Sequence, residues 1–582
     1  MTAGEGAEHS KQADFFARPI RWGPWIVFGL ATFFAFPHEI PFAHGLGLPS
    51  VIDLGLLLTW VVPASLVVAV DGLAPRRAAK AALVGSFLTH VAFFYWFLVV
   101  TVVYAGMPLF LGLLAPLVPA LYVAPFSALF AWGWARFGGR GLRGALLGAA
   151  LWVLVDWARG HLMGGFPWAT LGYGLYLDWP LLGLTRIGGV YVLSFVAAFV
   201  GILLGQFFLA GRFGSQGDAG AAKADFGTTA RNFLVAIAVV LALHGVGFAL
   251  SMPDAQTRSV KVAAIQGNID QGEKWEADRS SRILETYLSL SERAAEEGVD
   301  WIVWPETAVP GILENDAILR GRLADLATRH EVSLIVGGMG VEIDYEQRRF
   351  SAIFDSAFLL GPDGALEDRY DKTHLVPFGE FVPLRGLLGQ FFQSLATGLS
   401  SSDVTPGDRP RNFSVILPGT GTGTGTEESG TEKRVLVGVP ICYELLFPDL
   451  VRRFGREGAG ALLAITNDAW YGRTGAPHQF LAMTAMRAAE NGIPVVRAAN
   501  TGVSALIDAR GRVQDRSPLF EEAYVVGTIE MPLVGDGSVG DRNPASTIYA
   551  RFGDLFVLLC ALGCVAELIL QARARRSQHD GA

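Results

Sequence analysis

The sequence predicts two folds in one chain: a polytopic α-helical membrane domain of eight spans, and an α/β domain of alternating strands and helices set between the seventh span and the eighth. Two observations carry this. Residues 1–251 contain 14 Lys and Arg and 10 Asp and Glu, whereas residues 252–553 contain 29 and 41, so charge density more than doubles at the boundary. The charge-poor part also breaks into apolar runs close to the about 20 residues that a helix needs to cross a bilayer core of about 30 Å. The expected division is 1–251, a membrane domain of seven helices; 252–553, an extracytoplasmic domain; and 554–582, the eighth membrane helix with a cytoplasmic tail. The whole chain carries a net charge of −8 and the extracytoplasmic stretch is its acidic part, which argues against a nucleic-acid partner. Three cysteines, Cys442, Cys560 and Cys564, none in a CxxC pair, exclude a disulfide scaffold and a zinc or dithiol centre built on cysteine.

The expected spans fall near 20–36, 51–70, 81–104, 107–135, 144–158, 187–210, 232–251 and 554–571. The fourth contains Pro116, Pro119 and Pro125, which bend a membrane helix without ending it. Because Lys and Arg stay on the cytoplasmic side, the loops set the orientation. Placing Lys11, Arg18 and Arg21 inside puts fifteen cationic residues there, the rest being Arg76, Arg77, Lys80, Arg136, Arg140, Arg143, Arg212, Lys223, Arg231, Arg573, Arg575 and Arg576. The opposite short loops keep only Arg159 and Arg186. Both termini are therefore expected in the cytoplasm. Among ionisable residues within spans, Asp156 sits beside Trp152, Trp157 and Arg159 near a helix end, which reads as structural, and His90 and His244 are isolated.

From Val260 onward, short apolar runs alternate with amphipathic stretches. KVAAIQGNI reads as a strand, and residues 276–297 place Ile283, Leu284, Tyr287, Leu288 and Leu290 on one helical side. DWIVWPE is a strand ending in an acid. A helix near 316–330, the strand SLIVGGMG and a hairpin turning at Gly361–Gly364 follow. The strands RVLVGVPIC, ALLAITND, PVVRAAN, VSALIDARG and AYVVGTIEM, with a helix near 478–491, complete a layered α/β pattern, in which reactive groups are expected where strands end. The stretch GTGTGTGTEESGTE offers nothing apolar to pack and reads as an expanded surface loop.

Three strand-end residues have complementary chemistry: Glu306 in WPETAVP, Lys372 in YDKTHLVPFGEFVP, and Cys442 in VGVPICYE. A thiolate is the competent nucleophile, yet a free cysteine near pKa 8.5 is mostly thiol at neutral pH, so a base must take its proton. Glu306 has that chemistry. A cation beside the sulfur steadies both the thiolate and the oxyanion formed on a carbonyl, and Lys372 supplies one. Taken singly, a strand-end Glu or Lys is an ordinary surface ion-pair partner, and a Cys is a small core residue.

Together, WPET, the HLVPFGEFVP segment that follows Lys372, CYE and the later NDAW resemble the carbon–nitrogen hydrolase (nitrilase) superfamily. Placement between a seventh and an eighth span resembles, within it, the apolipoprotein N-acyltransferase family. The resemblance implies a nitrilase-like αββα sandwich over 252–553, with Glu306 as general base, Lys372 as oxyanion-stabilising cation and Cys442 as nucleophile. It implies that Glu380 is a further active-site acid, that Tyr443 and Glu444 support the site, and that Trp275 and Trp470 line the substrate pocket. It further implies a multi-pass protein of the bacterial inner membrane that moves an acyl chain from a phospholipid, through a Cys thioester, to the N-terminal α-amine of a diacylglyceryl-cysteine apolipoprotein. No cofactor or metal is expected, since His374 and His478 lack a second ligand at zinc-like spacing.

Two other readings compete. A membrane-tethered amidase would use the same triad on a small soluble amide, and leaves eight spans without a purpose. A transporter or lipid-binding scaffold with an inactive domain has no need to keep Glu306, Lys372 and Cys442. Finally, residues 385–399 carry Leu387, Leu388, Phe391, Phe392, Leu395 and Leu399 on one helical face. This stripe suits a core-facing helix or an interfacial lid whose Phe391 and Phe392 touch acyl chains.

Overall fold

The computed structural model describes residues 22–40, 50–213, 219–252, 257–270, 272, 279–344, 346–347, 349–381, 404–417, 433–532 and 547–580. Trp275, residues 385–399 with Phe391 and Phe392, and the whole Gly-Thr repeat lie outside the described residues. The chain divides into two compact units. One comprises Met1–Phe97, Leu113–Leu250 and Asp554–Ala582; the other comprises Leu98–Gly112 and Ser251–Gly553. The stretch Leu98–Gly112, read from sequence as parts of two membrane spans, thus clusters with the α/β unit.

The helical unit contains α1 (Trp22–Phe34), a short hairpin of β1 (His38–Glu39) and β2 (Val51–Ile52), α2 (Val61–Val70), α3 (Pro75–Phe93), α4 (Leu117–Phe137), α5 (Gly141–His161), α6 (Val190–Phe213) and α7 (Ala219–Leu250). Among the described residues, five helices are long and apolar enough to cross a membrane: Leu109–Phe137, Gly141–Gly164, Val190–Gly211, Phe226–Leu250 and Leu555–Ala574. The expected third span is instead two helices, Pro75–Phe93 and Trp96–Tyr104, bent by 51° at their junction, and counting them as one span gives six. The first two expected spans are the shorter apolar helices Trp22–Phe34 and Gly55–Val70. Pro37 follows the first of these and cannot continue a helix's hydrogen bonding.

Asp156 is buried and fully engaged within this unit. It accepts from Arg159 Nη2 and Ser194 Oγ, both at 3.0 Å, and from Leu171 N at 3.3 Å, tying α5 to α6. An acid removed from water needs such partners, and here they make it a packing element. His244 Nε2 likewise meets Asp178 Oδ2 at 3.0 Å.

The second unit stacks two six-stranded sheets between helices. The first sheet runs β14 (Ala523–Pro532), β3 (Thr257–Gln266), β4 (Trp301–Val303), β5 (Ser333–Asp344), β6 (Arg349–Leu360) and β7 (Leu366–Asp371). The second runs β13 (Val513–Arg516), β12 (Ala505–Ile507), β11 (Val495–Ala499), β10 (Ala461–Thr466), β9 (Arg434–Gly438) and β8 (Asn412–Ile416). Each has a parallel centre, β3–β4–β5 and β9–β10–β11, flanked by antiparallel strands. Parallel strands covered on both faces read as continuous apolar runs, which is why WIV and ALLAIT are buried at every position.

Helices α8 (Ser280–Ala295) and α9 (Ala317–His330) cover the first sheet. The stripe Ile283, Leu284, Tyr287, Leu288 and Leu290 packs with Ile302, Leu334 and Phe358 in one core. Each fully buried side chain of this kind contributes about 1.5–3 kcal/mol. Asp316 starts α9 by accepting from Ile318 N and Leu319 N at 3.0 Å. On the second sheet lie α10 (Pro448–Arg456) and α11 (Gly475–Asn491). Short α12 (Ile548–Phe552) closes the unit, and α13 (Leu555–Asp580) belongs to the helical one. Gln266 joins the sheets, its Oε1 accepting from Ser504 Oγ at 2.8 Å and Ser517 Oγ at 2.6 Å. The layer order is helix, sheet, sheet, helix.

Candidate active site

Three strand ends deliver the reactive residues: two follow the parallel strands β4 and β9, and the third follows β7, which is antiparallel to β6. Beyond β4, Trp304 N still donates to Ile335 O at 2.8 Å, Pro305 ends the ladder, and Glu306 follows. Gly337 of β5 allows this turn, since a Cβ there would meet Pro305 O at 2.2 Å. Beyond β7, Lys372 N donates to Asp355 O at 2.9 Å. Beyond β9, Pro440 interrupts pairing, Ile441 bridges to Ile465 of β10, and a tight 3-10 turn spans Cys442–Leu446.

Cys442 holds φ at 45°, Thr307 beside Glu306 at 48°, and Phe378 near Glu380 at 64°. Residues with a Cβ rarely adopt this region, and three such positions beside reactive side chains mark a site whose geometry is imposed by its surroundings.

Lys372 is completely buried, and its ammonium donates to Glu306 Oε1 at 2.8 Å, Asp355 Oδ2 at 3.1 Å and Glu380 Oε1 at 2.5 Å. One oxygen from each of these three acids lies within 4.8 Å of the other two. Burial works against the charged ammonium, yet its acidic neighbours, Glu306 first and Glu380 next, outweigh it and hold the Lys372 pKa well above its ordinary value. The lysine is a fixed cation. Glu380 is steadied by its own turn, its Oε2 accepting Val376 N at 2.8 Å.

The Cys442 thiol is pushed well above its ordinary value, first by burial and next by the Glu306 charge, with Lys372 acting in the opposite sense. Burial and the Glu306 charge both favour the thiol form. Asp468 also raises it, while the Asn467 backbone, just beyond β10, favours the charged sulfur. Asp468 is itself fixed by a buried ion pair with Arg497 at 2.6 Å, and Gly502 leaves room for that carboxylate.

Glu444 binds the Cys442 turn to the lysine strand. Its Oε2 accepts Ile441 N at 2.8 Å; its Oε1 accepts Thr373 N at 2.8 Å, and Thr373 Oγ1 and Tyr370 Oη, each at 2.7 Å. Tyr443 packs its ring 5.7 Å from His374 and 5.2 Å from Phe447, lining the same corner with aromatic surface. Trp470 is 38% exposed and meets Tyr104 edge-on at 6.1 Å, so the stretch Leu98–Gly112 supplies a side chain to this unit's surface.

The geometry therefore gathers Glu306, Lys372, Glu380, Tyr443 and Glu444 near Cys442, with Trp470 in the 3-10 turn Asp468–Tyr471. Asp355 escaped the sequence reading, although a lone acid inside the apolar run FSAIFDSAFLL needs a buried partner and could have been flagged on that ground. An activatable thiol, an acid to take its proton and a fixed cation suit attack on an ester or amide carbonyl.

Comparisons with known proteins place the chain in a family. The carbon-nitrogen hydrolase family model matches residues 261–537, and that of the apolipoprotein N-acyltransferase N-terminal domain matches residues 28–203. A Geobacter metallireducens protein named apolipoprotein N-acyltransferase is 34% identical over 90% of this chain and 92% of its own length. Proteins of the same name from Vibrio vulnificus and Pseudomonas putida are 31% and 33% identical, over 81% and 78% of this chain and 86% and 83% of theirs. Among solved structures, Saccharomyces cerevisiae Nit3, of the nitrilase superfamily, aligns with 47% of this chain and 90% of its own at 20% identity and a TM-score of 0.33.

Proposed function

This chain belongs to the apolipoprotein N-acyltransferase family, an assignment resting on relatives 31–34% identical over most of both chains, and from that premise we propose that Cys442, Glu306 and Lys372 perform its acyl transfer. The enzyme N-acylates lipoproteins in the bacterial inner membrane, with phospholipid as donor. What supports the residue assignment is one geometric observation: Lys372, completely buried, is ion-paired to Glu306 at 2.8 Å, and Glu444 ties the strand that carries it to the Cys442 turn.

In the acylation half, Glu306 takes the Cys442 proton as sulfur attacks the phospholipid ester carbonyl. Charge builds on the carbonyl oxygen, and the Lys372 ammonium, already desolvated and fixed, stabilises it without reorganising. Collapse breaks the ester C–O bond, the departing lysophospholipid oxygen takes the proton back from Glu306, and the acyl group remains as a thioester on Cys442. In the second half, the α-amine of the diacylglyceryl-cysteine attacks that thioester, Glu306 accepts an amine proton, and the released sulfur recovers it. An α-amine with a pKa of about 7.7–8.0 is partly neutral at working pH and needs little activation. Splitting ester-to-amide transfer across a thioester gives ping-pong kinetics.

We also propose an eight-span arrangement, with residues 1–251 and 554–582 as the membrane domain, residues 252–553 as the periplasmic catalytic domain, and both termini cytoplasmic. The distribution of Lys and Arg among the loops supports it. Trp275 and Trp470 are proposed to contact substrate, and Glu380, Tyr443 and Glu444 to support the site. An amidase acting on a small soluble amide is disfavoured, because the relatives named apolipoprotein N-acyltransferase match most of the chain and an N-terminal model of that family matches residues 28–203 of the helical unit.

Intact-mass analysis of the purified protein tests the function. An acyl mass should appear with phospholipid and leave when a diacylated Cys-peptide is added, with the same mass gained at the peptide's N-terminus. Release as free fatty acid without gain by the peptide would contradict transfer.

A further inference from the structure

One ammonium, that of Lys372, faces more negative charge than it can balance. Three carboxyl groups, Glu306, Asp355 and Glu380, each place an oxygen on one ammonium, and all three oxygens lie within 4.8 Å of one another. Three ionised acids against one cation in a dry pocket is a costly arrangement, and the usual resolution is that one acid keeps its proton.

Asp355 is placed to be that acid. It lies on the middle strand of the β5–β6–β7 meander and is only 5% exposed. Its Oδ2 accepts from Lys372 at 3.1 Å, the longest of the three contacts to the ammonium. Its Oδ1 is buried and faces no donor among the described residues. As a carboxylate it would leave an unmet acceptor there. As a carboxylic acid it becomes a donor with the Glu306 carboxylate as its neighbour, and both burial and the Glu306 charge favour that form.

We propose that Asp355 is a positioning residue for the acylation step, a neutral acid whose O–H orients the Glu306 carboxylate while its other oxygen holds the Lys372 ammonium. The charged and titratable groups facing it are Glu306 after β4, Lys372 after β7, Glu380 on the following loop and, through Glu306 and Lys372, Cys442. The proton stays on Asp355 throughout: Cys442 gives its own proton to Glu306, so the cluster's net charge is unchanged when the thiolate forms. Were Asp355 ionised, a second negative charge would sit beside the base and oppose that thiolate.

This inference rests on the assignment of Glu306, Lys372 and Cys442, and the test separates the two. Rates of acyl-enzyme formation are measured by intact mass on the full-length protein in nanodiscs, against phospholipid concentration, with Cys442→Ala as control. Asp355→Asn reproduces an acceptor toward Lys372 and a donor toward Glu306, and is expected to slow maximal acylation by less than about tenfold. Asp355→Leu keeps the size and removes both contacts. It is expected to slow maximal acylation by about a hundredfold or more, the scale of a lost electrostatic partner at a reacting centre, with the half-saturating phospholipid concentration unchanged. A folded Asp355→Asn protein slowed by a hundredfold would show that the charge itself is required and would overturn the proposal, whatever the fate of the leucine variant. An Asp355→Leu protein near wild type would overturn it too. If Cys442→Ala still acquired acyl mass, the triad assignment would fall and this inference with it.

Discussion

Glu444 accepts the backbone N–H of Thr373 at 2.8 Å, so the residue two places after the nucleophile grips the residue next to the lysine. Its other oxygen accepts Ile441 N at 2.8 Å, on the near side of Cys442. One buried carboxylate thereby sets the spacing between the sulfur-bearing turn and the ammonium-bearing strand. Glu444→Gln keeps one acceptor oxygen but must point an amide N–H at either Ile441 N or the Thr373 side. A buried donor facing a donor costs about 1–3 kcal/mol. A lower unfolding temperature together with slower acylation is expected; scanning calorimetry and single-turnover acylation check the pair, and an unchanged melting temperature would remove the clamp role.

Lys372→Met should cost stability as well as rate. The ammonium is completely buried among three acids. Removing one partner of a buried ion pair is destabilising by about 3–5 kcal/mol, and loss of oxyanion stabilisation lowers the rate by about a hundredfold or more. Thermal unfolding and acyl-enzyme formation on the same sample measure both, and wild-type stability would show that the three acids adjust without the cation.

The Cys442 thiol gives a pH prediction with a definite sign. Burial and then Glu306 push its pKa up, so deprotonation needs higher pH than the about 8.5 of a free cysteine. Alkylation of Cys442 by iodoacetamide, followed by mass spectrometry across pH, should have its midpoint above that value. In Glu306→Gln the raising charge is gone, so the midpoint moves down, yet acylation is lost because no base returns a proton to the leaving oxygen. A wild-type midpoint below that of free cysteine would mean a thiolate–lysine pair already formed at rest.

Legibility from sequence followed chemistry and length. Glu306, Lys372 and Cys442 stood out as reactive groups at strand ends within WPET, YDKTHLVPFGEFVP and CYE, even though the strand before Lys372, LEDRYD, is largely polar, and the β6–β7 hairpin was announced by Gly361–Gly364. Asp355 did not stand out, since a lone acid in an apolar strand shows no partner in the sequence, and only the fold brings it to the Lys372 ammonium. Glu444 looked like a minor neighbour of the nucleophile because its partners lie some 70 residues away in sequence, at Tyr370 and Thr373. The membrane runs were found by hydropathy, which does not register a bend such as the 51° turn after Phe93. Strand β8, Asn412–Ile416, went unread because the low-complexity repeat separates it from its partner β9.

Residues 385–399 yield a prediction from pattern alone. If Phe391 and Phe392 meet acyl chains, replacing both by Ser slows acylation from phospholipid vesicles far more than from a short-chain soluble ester. Two buried Phe side chains are worth roughly 3–6 kcal/mol, enough to separate the donors clearly. Equal slowing with both donors, or loss of folded protein, would favour a core-facing helix.

The central claim is that the acyl group rests on one sulfur. Protein incubated with phospholipid, quenched in acid and digested with trypsin should carry the acyl mass on the peptide between Arg434 and Arg452, removable by hydroxylamine at neutral pH as a thioester is. Neither Cys560 nor Cys564, both in α13, should carry it, and Cys442→Ala should carry none. An acyl group on any other peptide, or on the Cys442→Ala protein at the wild-type rate, would contradict the account.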